Sequence, residues 1–530
     1  MTVTTVTTAR TGPPIAAPRR PGLVLFMVCV AIFMLMLDAT VVSAGLADIR
    51  ADFDASIDGL QWVIDAYSIP LAGLLLTFAT IGDRFGRKRM FVAGMFVFTA
   101  ASLALSVSGT ILQLDILRAV QSVGAAMLFA TALPLLSVAY PGAGARAKAI
   151  GLYGAVMAGA TVAGPVVGGA LVTQFGWRSI FTVNVPIGIG IIVLAALRLP
   201  ESARIPDRRA DWLGATLLTG GLVAGVFGLT RGNSLGWQSA QVVALIGGAV
   251  VLLIAFLAWQ VRARHPLFDI AMAKKPGFTG TAIVSVAHMA TLMAATSYLA
   301  LFFIGTLGYT PLQMGLRVLP ISVGAMIAAP LTAIFAKRVP IGISLPVTMA
   351  LVTVGMWLMG NFGYDSAWTH FLPGMLIGGV GLGSLTAVNQ AASLTFASPE
   401  NAGMASATFG TLRQVGLATG VAGLGALFSH VARERAATGI EALPGAGSDL
   451  PADLRDQFVH QVGAGSGHEA ASAVPALAQV ADHASIDALN ALATLGAVIG
   501  AVSVVLAVLA FTIDGLRIKR QARTSAPASA

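Results

Sequence analysis

Gly82-Asp83-Arg84-Phe85-Gly86-Arg87-Lys88-Arg89 joins two apolar stretches, 60–81 and 90–109, each long enough to cross a bilayer. So dense a charge cluster on so short a link must lie at the water interface. Its four cations also choose the side, because short loops rich in Lys and Arg remain cytoplasmic. Working outward, the reading gives fourteen apolar segments: 23–47, 60–81, 90–109, 112–136, 147–174, 179–199, 211–230, 240–260, 277–306, 314–336, 341–361, 369–396, 402–430 and 486–511. Of the 32 Lys and Arg residues, twenty-three then fall in cytoplasmic termini and links, seven fall outside, and Arg118 and Arg413 lie within helices. This asymmetry puts both termini in the cytoplasm of a bacterial inner membrane.

Composition excludes the main alternatives. Hydrophobic residues make up 56% of the 530 and charged residues 10%, against about 25% charged in soluble domains. Many runs exceed the ~18 apolar residues that mark a spanning helix, and they lack the period of two of a membrane β-strand. The net charge of +9 sits in short links, where it sets topology, so no nucleic-acid partner is expected. Cys29 is the one cysteine, which rules out an intrachain disulfide and leaves no Cys/His metal spacing. No Gly-x-x-x-x-Gly-Lys-Ser/Thr loop occurs, so ATP is not implied, and no cofactor is expected. His265, His370 and His430 lie near interfaces without catalytic spacing; an enzyme is not expected.

The fold class predicted is an all-α membrane protein with 14 transmembrane helices: two six-helix bundles with an inserted central helix pair. The divisions are a cytoplasmic N-terminal tail (1–22), an N-terminal bundle (23–199), the inserted pair (211–260), a C-terminal bundle (277–511) containing an external loop (431–485), and a basic cytoplasmic tail (512–530). Two six-helix halves around a central site is the architecture of transporters built from repeats. The external loop reads as a flexible or partly helical cap, and a monomer is expected.

Chemistry is concentrated in the few ionisable residues within helices. A carboxylate near mid-helix costs about 2.5–3.5 kcal/mol on insertion scales, so its default reading is functional. At a rise of about 1.5 Å per residue, Asp38 and Asp65 both lie in the outer half of the membrane, and Arg118 lies at a similar depth. Burial disfavours a charged carboxyl and a nearby cation favours it. A carboxylate poised between the two can carry protons, so Asp38, Asp65 and Arg118 are the candidates for proton coupling. Asp38 and Asp65 are also candidates for holding a cationic cargo, with Trp62 and Tyr67 able to stack on it. Helices of the second half contain no deep carboxylate. His288, Asn389 and Gln390 are its candidate cargo contacts, and Arg413 is expected to hold helices together through hydrogen bonds. Gly164, Pro165, Gly168 and Gly169 describe a helix that packs closely and can bend.

These motifs resemble the major facilitator superfamily, specifically its 14-helix drug:proton antiporter branch, over nearly the whole chain. Gly82–Arg89 looks like the superfamily's helix 2–3 loop. The resemblance implies that Gly82, Asp83, Arg84, Gly86, Arg87 and Arg89 form a conformational motif, with Asp83 and the basic residues as an interdomain latch. Leu37-Asp38-Ala39-Thr40-Val41-Val42 resembles the branch's helix 1 element. Arg118 with Gln121 and Gly124 resembles the helix 4 arginine motif implicated in proton transfer, and Gly154 to Gly169 the helix 5 antiporter motif. Trp177-Arg178, Phe181, Asn184-x-Pro186-x-Gly188 and Arg413-Gln414 fit as well. Gln61-Trp62-Val63-Ile64-Asp65-Ala66-Tyr67-Ser68 resembles the quaternary-ammonium and dye efflux pumps. The implied activity is efflux of lipophilic organic cations and drugs in exchange for protons; a dedicated exporter of one antibiotic or metabolite is the alternative. Two positions depart from the pattern. Ser43-Ala44-Gly45-Leu46-Ala47 replaces the usual Asn-Val-Ala-Leu-Pro, which removes a proline bend, and Ser122 stands where Gly is usual.

Overall fold

Apolar runs of twenty or more residues must satisfy their backbone groups internally in lipid, and a helix does this within one segment. The structure is a computed structural model that describes residues 20–55, 57–201, 211–264, 266, 270–335, 338–395, 402–443, 451–473 and 475–524. The amino-terminal half contains α1 (Pro21–Val41), α2 (Leu46–Phe53), α3 (Ile57–Phe85), α4 (Arg87–Ser106), α5 (Ile111–Ala139), α6 (Ala143–Phe175), α7 (Ser179–Thr182) and α8 (Asn184–Arg198). An inserted pair follows, α9 (Trp212–Leu235) and α10 (Ala240–Arg262). The carboxy-terminal half has α11 (Ile270–Ala273), α12 (Pro276–His288), α13 (Ala294–Gly305), α14 (Pro311–Phe335), α15 (Ile341–Met359), α16 (Leu372–Thr395) and α17 (Ala402–Glu441). It ends with α18 (Ala452–Gly463), α19 (Gly467–Ala473) and α20 (Ala478–Thr524).

Among the described residues thirteen helices are long and apolar enough to span a membrane. The fourteenth predicted segment is α6, whose 33 residues give about 50 Å of length but whose described apolar stretch covers only Val166–Phe175. The side chains of Pro165, His265 and Gln390 lie outside the described residues, as does the predicted tail over 1–19.

Three of the four apolar clusters among the described residues set how the halves pack. One, from Val24 to Leu199, lies within the amino-terminal half, and a second, from Val284 to Ala507, within the carboxy-terminal half. The third joins Leu76 and Ala79 of α3, Leu218 and Leu222 of α9, Phe256 of α10 and Phe409 of α17. The halves meet where α6 packs along α14 and α3 along α17, and α9 lies against both α3 and α17. Thr219 of α9 donates to the Gly73 carbonyl of α3 at 2.8 Å. Asp211 caps α9 through the Gly214 amide at 2.8 Å and ties it to α10 by accepting from Trp259 Nε1 at 2.8 Å and Gln260 Nε2 at 2.9 Å.

Two helices predicted to stop at the membrane surface continue past it. α17 ends at Glu441 and α20 begins at Ala478, so the described part of the external segment is helical. Arg435 pairs with Asp487 at 3.1 Å and Arg455 with Glu441 at 2.6 Å across this cap. The tail expected from 512 is helical to Thr524: Arg, Lys, Gln and Ala are good helix formers, and cations are favourable near a helix C-terminus. In place of the missing proline bend, Val42–Gly45 forms a single 3-10 turn between α1 and α2.

The loop that decided the topology folds back on its own half. Gly86 has φ of 107°, a conformation L side chains avoid, and a Cβ there would stand 2.8 Å from Glu201 Cδ. Glu201 accepts from the Lys88 amide at 3.3 Å and pairs with Arg89 at 3.7 Å. Arg87 pairs with Asp83 at 3.0 Å and donates to the Pro134 carbonyl at 3.5 Å. Lys88 Nζ donates to Ala196 O at 2.8 Å, near the C-terminus of α8. Gly86→Ala is expected to cost about 1–3 kcal/mol from the strained backbone, read as a lower thermal midpoint of detergent-solubilised protein. Gly142→Ala, with nothing within 4 Å of the added carbon, should leave the midpoint unchanged.

Candidate functional site

Asp38 sits on the last turns of α1 and is 1% exposed, as is Arg118 on α5. Arg118 Nη1 donates to Asp38 Oδ2 at 2.6 Å and to Gln121 Oε1 at 2.7 Å, and its Nε donates to the Val63 carbonyl at 3.2 Å. Asp38 Oδ1 accepts from Gln121 Nε2 at 2.9 Å and from Asn184 Nδ2 at 2.8 Å. Gln121 Nε2 also donates to Ser102 Oγ at 2.8 Å. Four elements, α1, α4, α5 and α8, thus converge on one carboxylate, and α3 contributes a backbone carbonyl. Tyr67 lies with its ring 4.3 Å from the guanidinium, and Phe181 closes the far side at 5.8 Å.

Local sequence explains this convergence. Gln121 follows Arg118 by three residues, which sets both on one face of α5. Gly124, one turn on, brings α5 against α4: a Cβ there would lie 2.7 Å from the Gly94 carbonyl. Ser122, which departs from the family pattern, hydrogen-bonds the Tyr67 carbonyl and so fixes α3 against α5. Gly168 lets α6 reach α1, since a Cβ there would stand 2.9 Å from the Val41 carbonyl. Gly164 faces Thr40, and Gly169 faces Leu312 of α14.

A buried ion pair holds only when hydrogen bonds satisfy what its charges leave over. Both oxygens of Asp38 are engaged here. Protonating the carboxyl would cancel its attraction for Arg118 and loosen α1 from α5, which is how a proton can be read as motion.

The other predicted residues are dispersed. Tyr67 is buried against the Arg118 guanidinium, and its hydroxyl reaches the Leu35 carbonyl at 3.5 Å, so its ring belongs to the ion-pair site. Asp65 is half-buried on α3. Trp62 packs against Phe227 of α9, ring centroids 4.9 Å apart and planes tilted by 41°, with the Arg231 guanidinium 5.5 Å from its ring; it contacts the inserted pair. His288 and Asn389 are buried in the other half. The sequence pointed to Gln121 and Asn184 only as members of motifs and gave Ser102 no role, although amide side chains inside apolar spans mark a polar network. On α2, Asp52 accepts from Arg178 at 2.7 Å and Trp177 at 3.1 Å. These bonds, Arg178 first, hold its carboxyl below the usual range.

The family model of the Major Facilitator Superfamily matches residues 28–421. The chain belongs to this superfamily. It is 31% identical over 411 residues to "Multidrug resistance protein Stp" of Mycobacterium tuberculosis strain CDC 1551, covering 77% of this chain and 76% of the relative. The Methylenomycin A resistance protein of Streptomyces coelicolor is 31% identical over 430 residues, covering 80% of this chain and 90% of the relative. The Tetracenomycin C resistance and export protein of Streptomyces glaucescens is 29% identical over 411 residues, 77% of this chain and 76% of the relative. The crystal structure of human MFSD10, titled an organic anion transporter, shares the fold with a TM-score of 0.59 at 11% identity, covering 94% of this chain and all of that one. A superfamily transporter carries small molecules across a membrane; the protein is a transporter of the drug-efflux kind and not an enzyme.

Breaking one side of the buried pair leaves an uncompensated charge, at a cost of about 3–5 kcal/mol. Arg118→Gln should therefore lower the thermal midpoint strongly. The double variant Asp38→Asn/Arg118→Gln should recover much of the loss, a non-additivity measured by a double-mutant cycle in detergent.

Proposed function

We propose that the protein is a proton-coupled antiporter of the bacterial inner membrane, with cytoplasmic termini, that exports lipophilic drugs by alternating access between its two halves. The observation that carries this reading is the enclosed Asp38–Arg118 pair, gripped by Gln121 and Asn184. In this reading a proton entering from outside neutralises Asp38 and frees Arg118, which keeps Gln121 and the Val63 carbonyl as partners. α1 can then shift against α6 along the surface opened by Gly164 and Gly168. Release of the proton inside restores the pair. One proton moving down 100 mV supplies about 2.3 kcal/mol, roughly a 50-fold gradient of a neutral cargo. The Asp83–Arg87 loop and the glycines of α6 act as the conformational elements.

Cation selectivity rests on Asp65 in this scheme, because both oxygens of Asp38 are taken. Quaternary-ammonium compounds and cationic dyes are accordingly part of the proposed cargo range. A narrower reading, export of one antibiotic, is favoured by relatives named for methylenomycin A and tetracenomycin C. A resistance panel of unrelated drugs separates the two.

The test uses protein reconstituted in sealed liposomes with an imposed pH gradient. Asp38→Asn should abolish gradient-driven accumulation of rhodamine 123, and accumulation unchanged by collapse of the gradient overturns the coupling. Asp65→Asn should reduce rhodamine 123 transport several-fold more than that of the neutral dye Nile red; equal losses remove Asp65 from charge selection.

A further inference from the structure

The two halves treat their buried arginines in opposite ways. Arg118 is matched by a carboxylate. Between residues 277 and 430 the acids are Asp365 and Glu400; Asp365 lies in the link between α15 and α16, and Glu400 lies outside the described residues. Arg413 of α17 is half-buried, and among the described residues it has no carboxylate or hydrogen-bond partner. The expectation that it pins helices together by hydrogen bonds finds no such bond. Arg413 is about 17 Å along α17 from Ala402, and His288 is about 18 Å along α12 from Pro276, which places both near the bilayer midplane.

The described groups within reach of Arg413 are an imidazole and a phenol, and neither is a carboxylate. Arg413 lies within electrostatic reach of His288 on α12 and of Tyr153 on α6. Tyr153 belongs to the amino-terminal half, so Arg413 faces the seam between the halves. Its register against α12 is fixed by Gly416, one turn on, where a Cβ would stand 2.9 Å from Val286 Cα. Asn389 on α16 uses Oδ1 to accept from Ser285 at 3.0 Å, whereas its Nδ2 is buried without a partner among the described residues. An amide nitrogen offers two donors and a guanidinium five, with no acceptor between them. His288 immediately precedes a π-helical turn, Met289–Met293, and such turns are frequent at functional sites. An unpaired guanidinium and an unpaired amide donor near mid-membrane each cost free energy that an acceptor from outside the chain can return.

We propose that Arg413 and Asn389 bind the acidic or carbonyl-rich end of the cargo, so that the exporter accepts amphipathic aromatic molecules bearing an ionised phenol, enol or carboxylate. This rests on the transporter reading above and adds a cargo class to it. The site is built on helices of the carboxy-terminal half, apart from the Asp38–Arg118 pair, so cargo and proton act on different halves. Charge selection is then bipolar, with Asp65 serving cations and Arg413 serving acids.

The test is equilibrium binding, by fluorescence polarisation at pH 8, to the full chain in lipid nanodiscs. The probes are fluorescein and rhodamine 123, which share a xanthene frame and carry opposite charge. The wild type binds fluorescein. Arg413→Gln weakens that binding at least tenfold while moving rhodamine 123 less than twofold, and Arg413→Lys restores part of it. Asn389→Asp, which places a carboxylate at the site, weakens fluorescein in the same way and serves as the second variant should Arg413→Gln fail to fold. Absent fluorescein binding in the wild type, unchanged binding in folded Arg413→Gln or Asn389→Asp, or equal weakening of both dyes overturns the proposal. No gradient is imposed, so failure here leaves proton-driven transport untouched, and failure of proton coupling in liposomes leaves this binding intact.

Discussion

The buried pair of Asp38 and Arg118 constrains everything around it. A carboxylate and a guanidinium that are each 1% exposed would be costly in an apolar bundle unless every remaining lone pair and proton found a partner. That requirement fixes where α4, α5 and α8 can stand relative to α1, because Ser102, Gln121 and Asn184 must all arrive within hydrogen-bond distance. It also explains the small residues nearby. Gly124 and Gly168 allow the backbones to close around the pair, and a methyl group at either would hold the helices apart. The polar centre and the glycine contacts form one device, in which close approach makes the pair possible and the pair holds the approach.

Much of this was legible in the sequence for a physical reason. Lipid forces a long apolar run to be helical, so the helix positions followed from hydropathy. Asp38 and Arg118 stood out because charge inside an apolar run is rare. Gln121 and Asn184 are uncharged and lie eighty-odd and about 150 residues from Asp38, so their convergence on one oxygen depends on helix packing, which hydropathy does not report. Trp62 reads as an aromatic available to cargo, yet it meets Phe227; that contact needs knowledge of where the inserted pair sits. The extensions of α17 and α20 were missed because nothing in the membrane argument ends a helix at the water line. There the sequence simply becomes polar while remaining helix-forming.

Arg118 and Arg413 show why a residue type alone does not define a role. Both are single arginines within helices, and both matched the same branch of the superfamily by motif. One is surrounded by acceptors, the Asp38 carboxylate, the Gln121 amide oxygen and the Val63 carbonyl. The other has an imidazole and a phenol within electrostatic reach and no carboxylate partner among the described residues. The difference comes from composition at the scale of a whole half: the amino-terminal half contains acids within its helices, whereas between residues 277 and 430 the carboxy-terminal half has two, Asp365 in a link and Glu400 outside the described residues.

α9 touches both α3 and α17, and its apolar side chains Leu218 and Leu222 join residues of both halves in one cluster. The inserted pair therefore shields the α3/α17 flank of the seam between the halves, so the two flanks of that seam present different surfaces to their surroundings.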